Sequence, residues 1–479
     1  MTLRRPAFAL STVGLLGLLA ASGTTAAADP NAPIQEQTVY WDGPAGPDGV
    51  LTGGRTTMRL PDMSAVATMS SRTSNSDDNR VDIVFVGDGY TLAELPAYHA
   101  DVDTLLAFLY DLEPFAAYQT YFRTHEIDVI SNESGVDNDP TQGVFRDTAL
   151  DMTFWCNGIE RLLCVNVSKA YSFAVQAPDV DQVVAVANTT KYGGAGYPSN
   201  NLGTVAGGNA FAADIFIHEL GHSLGDLADE YTYGGPSDYS GPERPEPNVS
   251  IYDASQIAAF ETKWFEWLGD ADPRFDSPIG AYEGGFYSVT GVHRPSPNSM
   301  MRSLGRLFNA PSAEALIKEI YREVSPIDEH TPNDQPIDAN ASVTVTPMSP
   351  IGHALDVTWT VGGQIVATGA GEMTLDLSTL NIATPYTLTA TVVDNTDMVR
   401  DAVVRADFLT QAVQWTVQEP ACTGDADGDG LVNAEDLLAV LGSFGLTVPG
   451  GAADGDLDGS GEVNADDLLI VLGAFGAAC

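Results

Sequence analysis

Basic side chains are scarce in this chain: 21 Lys and Arg stand against 65 Asp and Glu, a formal net charge of −44. A nucleic-acid backbone would be repelled, and no basic patch offsets the imbalance, so nucleic-acid binding is excluded as a function class. The acidity is spread along the whole chain and carries no information about the charge of a substrate. Cysteine is nearly absent, with four residues in 479. None of the four has metal-site spacing. Cys156 and Cys164 bracket a short segment and Cys422 and Cys479 bracket the C-terminal one, so the expectation is two disulfides in an oxidising compartment. Long apolar runs are missing except near the N-terminus, where Arg4 and Arg5 precede Val13–Ala20 and the small residues Thr25–Ala28. That pattern reads as a secretory signal peptide over 1–28, too short to anchor the chain. The expectation is a secreted, extracellular protein with no transmembrane anchor.

Histidine is scarce as well, and two of the seven fall in one motif, His218-Glu219-Leu220-Gly221-His222. On a helix, His218 and His222 lie one turn apart on the same face, so both imidazoles can reach one ion. Glu219 is offset, which suits a general base acting on metal-activated water better than a ligand. The preceding Ala210–Ile217 has apolar positions spaced to bury one helical face. Zinc in a hydrolase takes three protein ligands. If the helix continued, Asp229 would lie about 10 Å along the axis from His222. Gly225 offers a place to end the helix, because glycine accepts left-handed angles. Asp229 or Glu230 then returns to the metal. Asp229 is preferred, and Glu230 is left to orient a ligand imidazole or brace the turn.

The string His218–Tyr231, together with Val86-Gly87-Asp88-Gly89-Tyr90-Thr91, Tyr282-Glu283-Gly284-Gly285 and Arg294 through Arg302, resembles the M64 family of immunoglobulin-A-peptidase-like zinc peptidases, a metzincin-like group. The resemblance spans roughly residues 80 to 325. It implies that His218 and His222 are zinc ligands, that Glu219 is the base, and that Met300 or Met301 forms a methionine turn beneath the metal. It also exposes a departure. The usual metzincin pattern places its third ligand six residues after the second histidine, which here is Ala228, so Asp229 requires a turn one residue longer. Tyr282, Tyr287, His293 and Arg294 each carry a donor that could stabilise an oxyanion.

A multidomain chain is expected. Residues 29–79 read as an N-terminal β-rich segment or pro-region, with a loop at Ser71–Asp78. Residues 80–330 read as an α/β zincin-type, metzincin-like catalytic domain. Within it, Val81–Val86 is a buried strand ending at Gly87-Asp88-Gly89. Leu95–Leu112 is a helix with Pro96 in its first turn. Val183–Ala187 is a strand that could pair with substrate at a sheet edge, followed by a Gly/Asn-rich stretch over 193–208. A later helix is capped by Ser312 and runs to Arg322. A linker at Thr331–Pro336 leads to alternating runs around Val343, Leu355–Trp359, Leu375–Leu377 and Tyr386–Val392. These predict an immunoglobulin-like β-sandwich over 331–420, a spacer or docking module.

Residues 421–479 hold a repeat. Asp425, Asp427, Asp429, Leu431, Asn433 and Asp436 recur as Asp456, Asp458, Ser460, Glu462, Asn464 and Asp467. These are loop positions 1, 3, 5, 7, 9 and 12 of an EF-hand-like calcium loop, with position 7 contributing its backbone carbonyl and Asp replacing Glu at 12. An apolar helix follows each copy. The pair resembles a small all-α dockerin-type module, which implies two Ca2+ ions and a cohesin-like protein partner. With Zn2+ in the catalytic domain, the reading is a secreted zinc endopeptidase acting on a protein or peptide. The competing readings are a zinc amidase acting on cell-wall or glycoconjugate substrates, and a non-catalytic adhesin on the same scaffold. Glu219 counts against the adhesin, which has no need of a base.

Overall fold

All eight residues of Val81–Asp88 are buried, as in a strand covered on both faces of a mostly parallel sheet. The computed structural model describes residues 32–46, 50–63, 79–232, 237–419, 423–447 and 455–477. The sheet comprises β1 (Ile34–Gly43), β2 (Thr52–Pro61), β3 (Val81–Asp88), β4 (Phe122–Ile127), β5 (Gln182–Ala187), β6 (Gly194–Tyr197) and β7 (Leu202–Ala206). Its spatial order is β2-β1-β6-β7-β5-β3-β4. Strands β4, β3, β5 and β7 are parallel, β6 is antiparallel to β7, and β1 is antiparallel to β6.

Alternate residues of β3 point to opposite faces. Ile83 and Phe85 pack with helices α1 (Leu95–Leu109) and α3 (Ala212–Ser223), while Val84 and Val86 pack with α2 (Val167–Ala174). Pro96 lies in the first turn of α1. Asp88 lies inside β3 rather than in the turn after it. Its carboxylate accepts from the Leu150 and Met152 amides and from Ser131 and Thr148, which fastens the 131–152 segment to the sheet.

One expectation about this sheet is corrected. Strand β5 is central, between β3 and β7, so it offers no edge to a substrate. The Gly/Asn-rich stretch contains β6 and β7. Its glycines serve close packing against α3: a Cβ on Gly194 would come within 2.6 Å of Ile215, and one on Gly196 within 2.7 Å of Glu219 Oε2.

After α3 come α4 (Ala254–Phe260), the hairpin β8 (Tyr282–Gly285) and β9 (Ser288–Arg294), and α5 (Ala310–Glu323). Helix α5 is capped by Asn309, whose side chain accepts from the Ser312 amide, not by Ser312 itself. Pro311 favours the earlier start because its missing N–H costs nothing in a first turn.

The following segment forms β10 (Ile327–His330), β11 (Ile337–Asp338), β12 (Ser342–Pro347), β13 (Asp356–Val361), β14 (Gln364–Ala370), β15 (Met373–Asp376), β16 (Tyr386–Val393), helix α6 (Ala402–Asp407) and β17 (Thr410–Gln418). They make two sheets, β10-β12-β15 and β11-β17-β16-β13-β14. Val343, Val345 and Leu375 of the first share an apolar cluster with Val357, Trp359 and Trp415 of the second. That cluster continues into Tyr118, Tyr121 and Tyr321 of the α/β part. The C-terminal repeat forms α7 (Ala434–Ser443) and α8 (Ala465–Ala474) around Ala426, Val432, Val440, Val463 and Val471.

Cys156 and Cys164 are disulfide-bonded. Cys422, Cys479, the segment 1–28 and the loop expected at Ser71–Asp78 lie outside the described residues. No helix among the described residues is long and apolar enough to cross a membrane.

Candidate metal centre

Helix α3 carries the motif because Ile215, Phe216, Ile217 and Leu220 bury it, and the motif side chains are buried with them. The helix ends at Ser223, and the chain turns back so that the Leu227 amide donates to the Gly221 carbonyl at 3.0 Å. The left-handed residue of this turn is Asp226 (φ 51°), not Gly225. Gly225 is required for space instead. A Cβ there would lie 2.8 Å from Leu316 Cδ2 and 2.9 Å from the Gly221 carbonyl oxygen.

The turn brings Asp229 to the histidines. Its Oδ1 lies 3.0 Å from His218 Nε2 and 3.4 Å from His222 Nε2, and the two Nε2 atoms are 3.1 Å apart. His218 Nδ1 donates to the Met300 carbonyl at 3.0 Å and His222 Nδ1 to the Leu227 carbonyl at 2.6 Å. These bonds fix the tautomer, so in the neutral rings both Nε2 lone pairs face the same point. Two lone pairs and a carboxylate converging in a buried site require a cation. The set of two His and one carboxylate suits a single Zn2+.

Ala228 takes no part through its side chain. Its amide and carbonyl pair with the Asn248 side chain at 2.8 Å each, which pins the backbone so that the next residue faces the histidines. Glu230 points away from the cluster. It accepts from Ser299 Oγ at 2.7 Å, Asn248 Nδ2 at 3.1 Å and Asn309 Nδ2 at 3.2 Å, tying three segments beneath the site. Met300 supplies the carbonyl for His218. Met301 lies against Gly221, where a Cβ would be 2.6 Å from its sulfur.

Glu219 is 1 % exposed, and neither carboxylate oxygen has a hydrogen-bond partner. Burial, and then the nearby Asp42 charge, push its pKa well above the usual carboxylate range. Asp229 is held below that range, because the two histidines outweigh its burial. His218 is pushed up to about 10: burial opposes the charge, but Asp42 and Asp229 outweigh it. Of the four donors considered for an oxyanion, only Tyr287 reaches the cluster, through a hydrogen bond from its hydroxyl to Asp229 Oδ2. Tyr282 donates to the Pro278 carbonyl, and Arg294 to the Glu283 and Gly284 carbonyls. The His293 backbone pairs with Ser250. Asp42 and Tyr40 of β1 also border the histidines. Nothing in the local sequence around them marks a site.

In the C-terminal repeat, carboxylate oxygens of Asp425, Asp427 and Asp436 gather within 4.8 Å, as do those of Asp456, Asp458 and Asp467. Asn433 and Asn464 cap α7 and α8, accepting from Glu435 and Asp466 amides. The Asp436 carboxylate accepts from the Ala426 and Asn433 amides, and Asp467 repeats this with Leu457 and Asn464. Ser460 Oγ donates to the Glu462 carbonyl at 3.1 Å.

On a mixed α/β sheet, one helix thus presents two imidazoles, a returning carboxylate and an unpartnered glutamate, a cluster of the kind a metal-dependent peptidase uses. Residues 70–278 match the family described as IgA Peptidase M64. The match ends before β8 and the methionine pair. Among curated proteins, none matches the chain.

Proposed function

We propose that the chain is a secreted zinc endopeptidase, with His218, His222 and Asp229 as ligands and Glu219 as general base. The observation that carries this reading is the pair of Nε2 atoms 3.1 Å apart, each with its Nδ1 committed to a backbone carbonyl. Bound zinc supplies Lewis acidity towards water and the scissile carbonyl. Glu219 takes a proton at its free carboxylate oxygens and returns it to the departing amine, a role favoured by a raised pKa. Tyr287 holds Asp229 in orientation.

The two sheets over 331–420 act in this reading as a spacer. The repeat over 421–479 is a dockerin-like module holding two Ca2+ ions. Support comes from the gathered carboxylates and from matched exposed residues on and just after its helices, Leu438, Leu441 and Phe444 in one copy and Leu469, Leu472 and Phe475 in the other. Such faces suit a cohesin-like protein partner. The test of the enzymatic reading is zinc content and cleavage of an unbiased peptide library by the mature chain and Glu219→Ala. Zinc in both with cleavage only by the parent is expected. Zinc in both with no peptide cleavage by either would favour an amidase or an adhesin.

A further inference from the structure

Strand β1 brings a carboxylate to the metal cluster from outside the motif. It pairs antiparallel with β6 at Tyr40 and Gly196. Without β1 and β2, β6 would be the free edge of the sheet beside α3. Residues two apart on a strand share a face, and Tyr40 and Asp42 both reach the site. The Tyr40 ring stacks on His222 with centroids 4.2 Å apart and planes at 15°. Asp42 Oδ2 lies 3.3 Å from His218 Nε2. Asp42 is 1 % exposed, and that oxygen accepts no hydrogen bond. With its Nδ1 turned to the Met300 carbonyl, the His218 ring faces Asp42 with Nε2, so a cation shared by the two would satisfy both. A buried carboxylate oxygen without a donor is costly unless a cation faces it.

We propose that Asp42 is a fourth metal donor and that β1 is an intramolecular inhibitor. The strand lies along the edge where a peptide substrate would pair, and its carboxylate closes the position that a hydrolytic zinc keeps open. The inference rests on the zinc-peptidase reading above. The site is shut in the way the proposal requires: His218, Glu219, His222 and Asp229 are each at most 1 % exposed. Several contacts hold the hairpin there, three of them near the site. The Leu51 amide donates to the Arg302 carbonyl at 3.0 Å, beside the methionine pair. The Tyr231 hydroxyl donates to Asp42 Oδ1 at 3.4 Å. The Arg55 guanidinium lies 4.1 Å from the centre of the Phe286 ring.

The test uses the full chain loaded with Co2+, as parent, Asp42→Ala and Asp42→Asn. Each is titrated with acetohydroxamate while the visible absorption of the cobalt is followed, and a thermal melt checks folding. Both variants are expected to bind the probe at least tenfold more tightly than the parent and to cleave the peptide library faster. If Asp42→Ala fails to fold, the near-isosteric Asp42→Asn carries the comparison. Equal probe affinity in parent and folded variant would overturn the proposal, as would loss of cobalt from folded Asp42→Asn together with lost cleavage, since Asp42 would then be a permanent ligand. Failure of the parent to bind cobalt at all, seen before any probe is added, would overturn the zinc reading and this inference with it.

Discussion

Single atoms carry the chemistry of this site, and two side chains can be separated by experiment. Glu219 is free of hydrogen bonds, so Glu219→Gln is expected to keep its zinc while kcat falls about 10²–10⁴-fold. Metal analysis beside steady-state kinetics checks both halves. Tyr287 acts through Asp229 rather than on substrate, so Tyr287→Phe is expected to weaken zinc binding about tenfold or more. Competition with a chromogenic chelator measures that loss, and unchanged affinity would remove Tyr287 from the metal's support. The sequence revealed His218, Glu219 and His222 because their spacing is itself the geometry. It favoured Asp229 over Glu230 without deciding between them, because the outcome depends on Asn248 gripping Ala228 from twenty residues away. Asp42 was illegible: its role comes from strand pairing, and a lone aspartate in a strand resembles any other.

At the scale of elements, space and backbone angle divide the turn after α3 between two neighbours. Gly225→Ala is expected to cost about 1–3 kcal/mol through the clash with the Gly221 carbonyl and Leu316. Asp226→Gly relieves a left-handed residue and is expected to change stability by less than about 1 kcal/mol. Urea unfolding of the two variants reads both, and the reverse order would contradict this assignment. The same distinction explains what sequence patterns reveal. Strand β3 was legible from the apolar run Ile83–Val86. Within the Gly/Asn-rich stretch, β6 gave no strand signal because Gly194 and Gly196, required by the closeness of α3, replace apolar residues. In β17, Val413, Trp415 and Val417 alternate inward, a period present in the sequence. The half-exposed β14 carries no such period.

Across the whole molecule, Asp394 joins the β-rich part to the α/β part. It accepts from Tyr118 at 2.7 Å, Tyr321 at 2.8 Å and His353 at 2.9 Å. Burial opposes its charge, but these three donors hold its pKa below the usual range. The hydrogen bond to Asp394 raises His353, against the effect of burial. The Asp394 contribution is present above the unfolded carboxylate pKa and lost as pH falls through the folded value. The His353 contribution is fully present below the unfolded imidazole pKa and lost as pH rises through the folded value. Parent and Asp394→Asn should therefore differ most between about pH 4 and 6.5, by about 3 kcal/mol. Urea midpoints across that range check it, and a pH-independent difference would contradict it. The central claim concerns one ion, and zinc-edge anomalous diffraction from crystals of the metal-replete chain addresses it most directly. A single strong peak among His218 Nε2, His222 Nε2 and the Asp229 carboxylate is expected. No peak there, or zinc held elsewhere, would contradict the account.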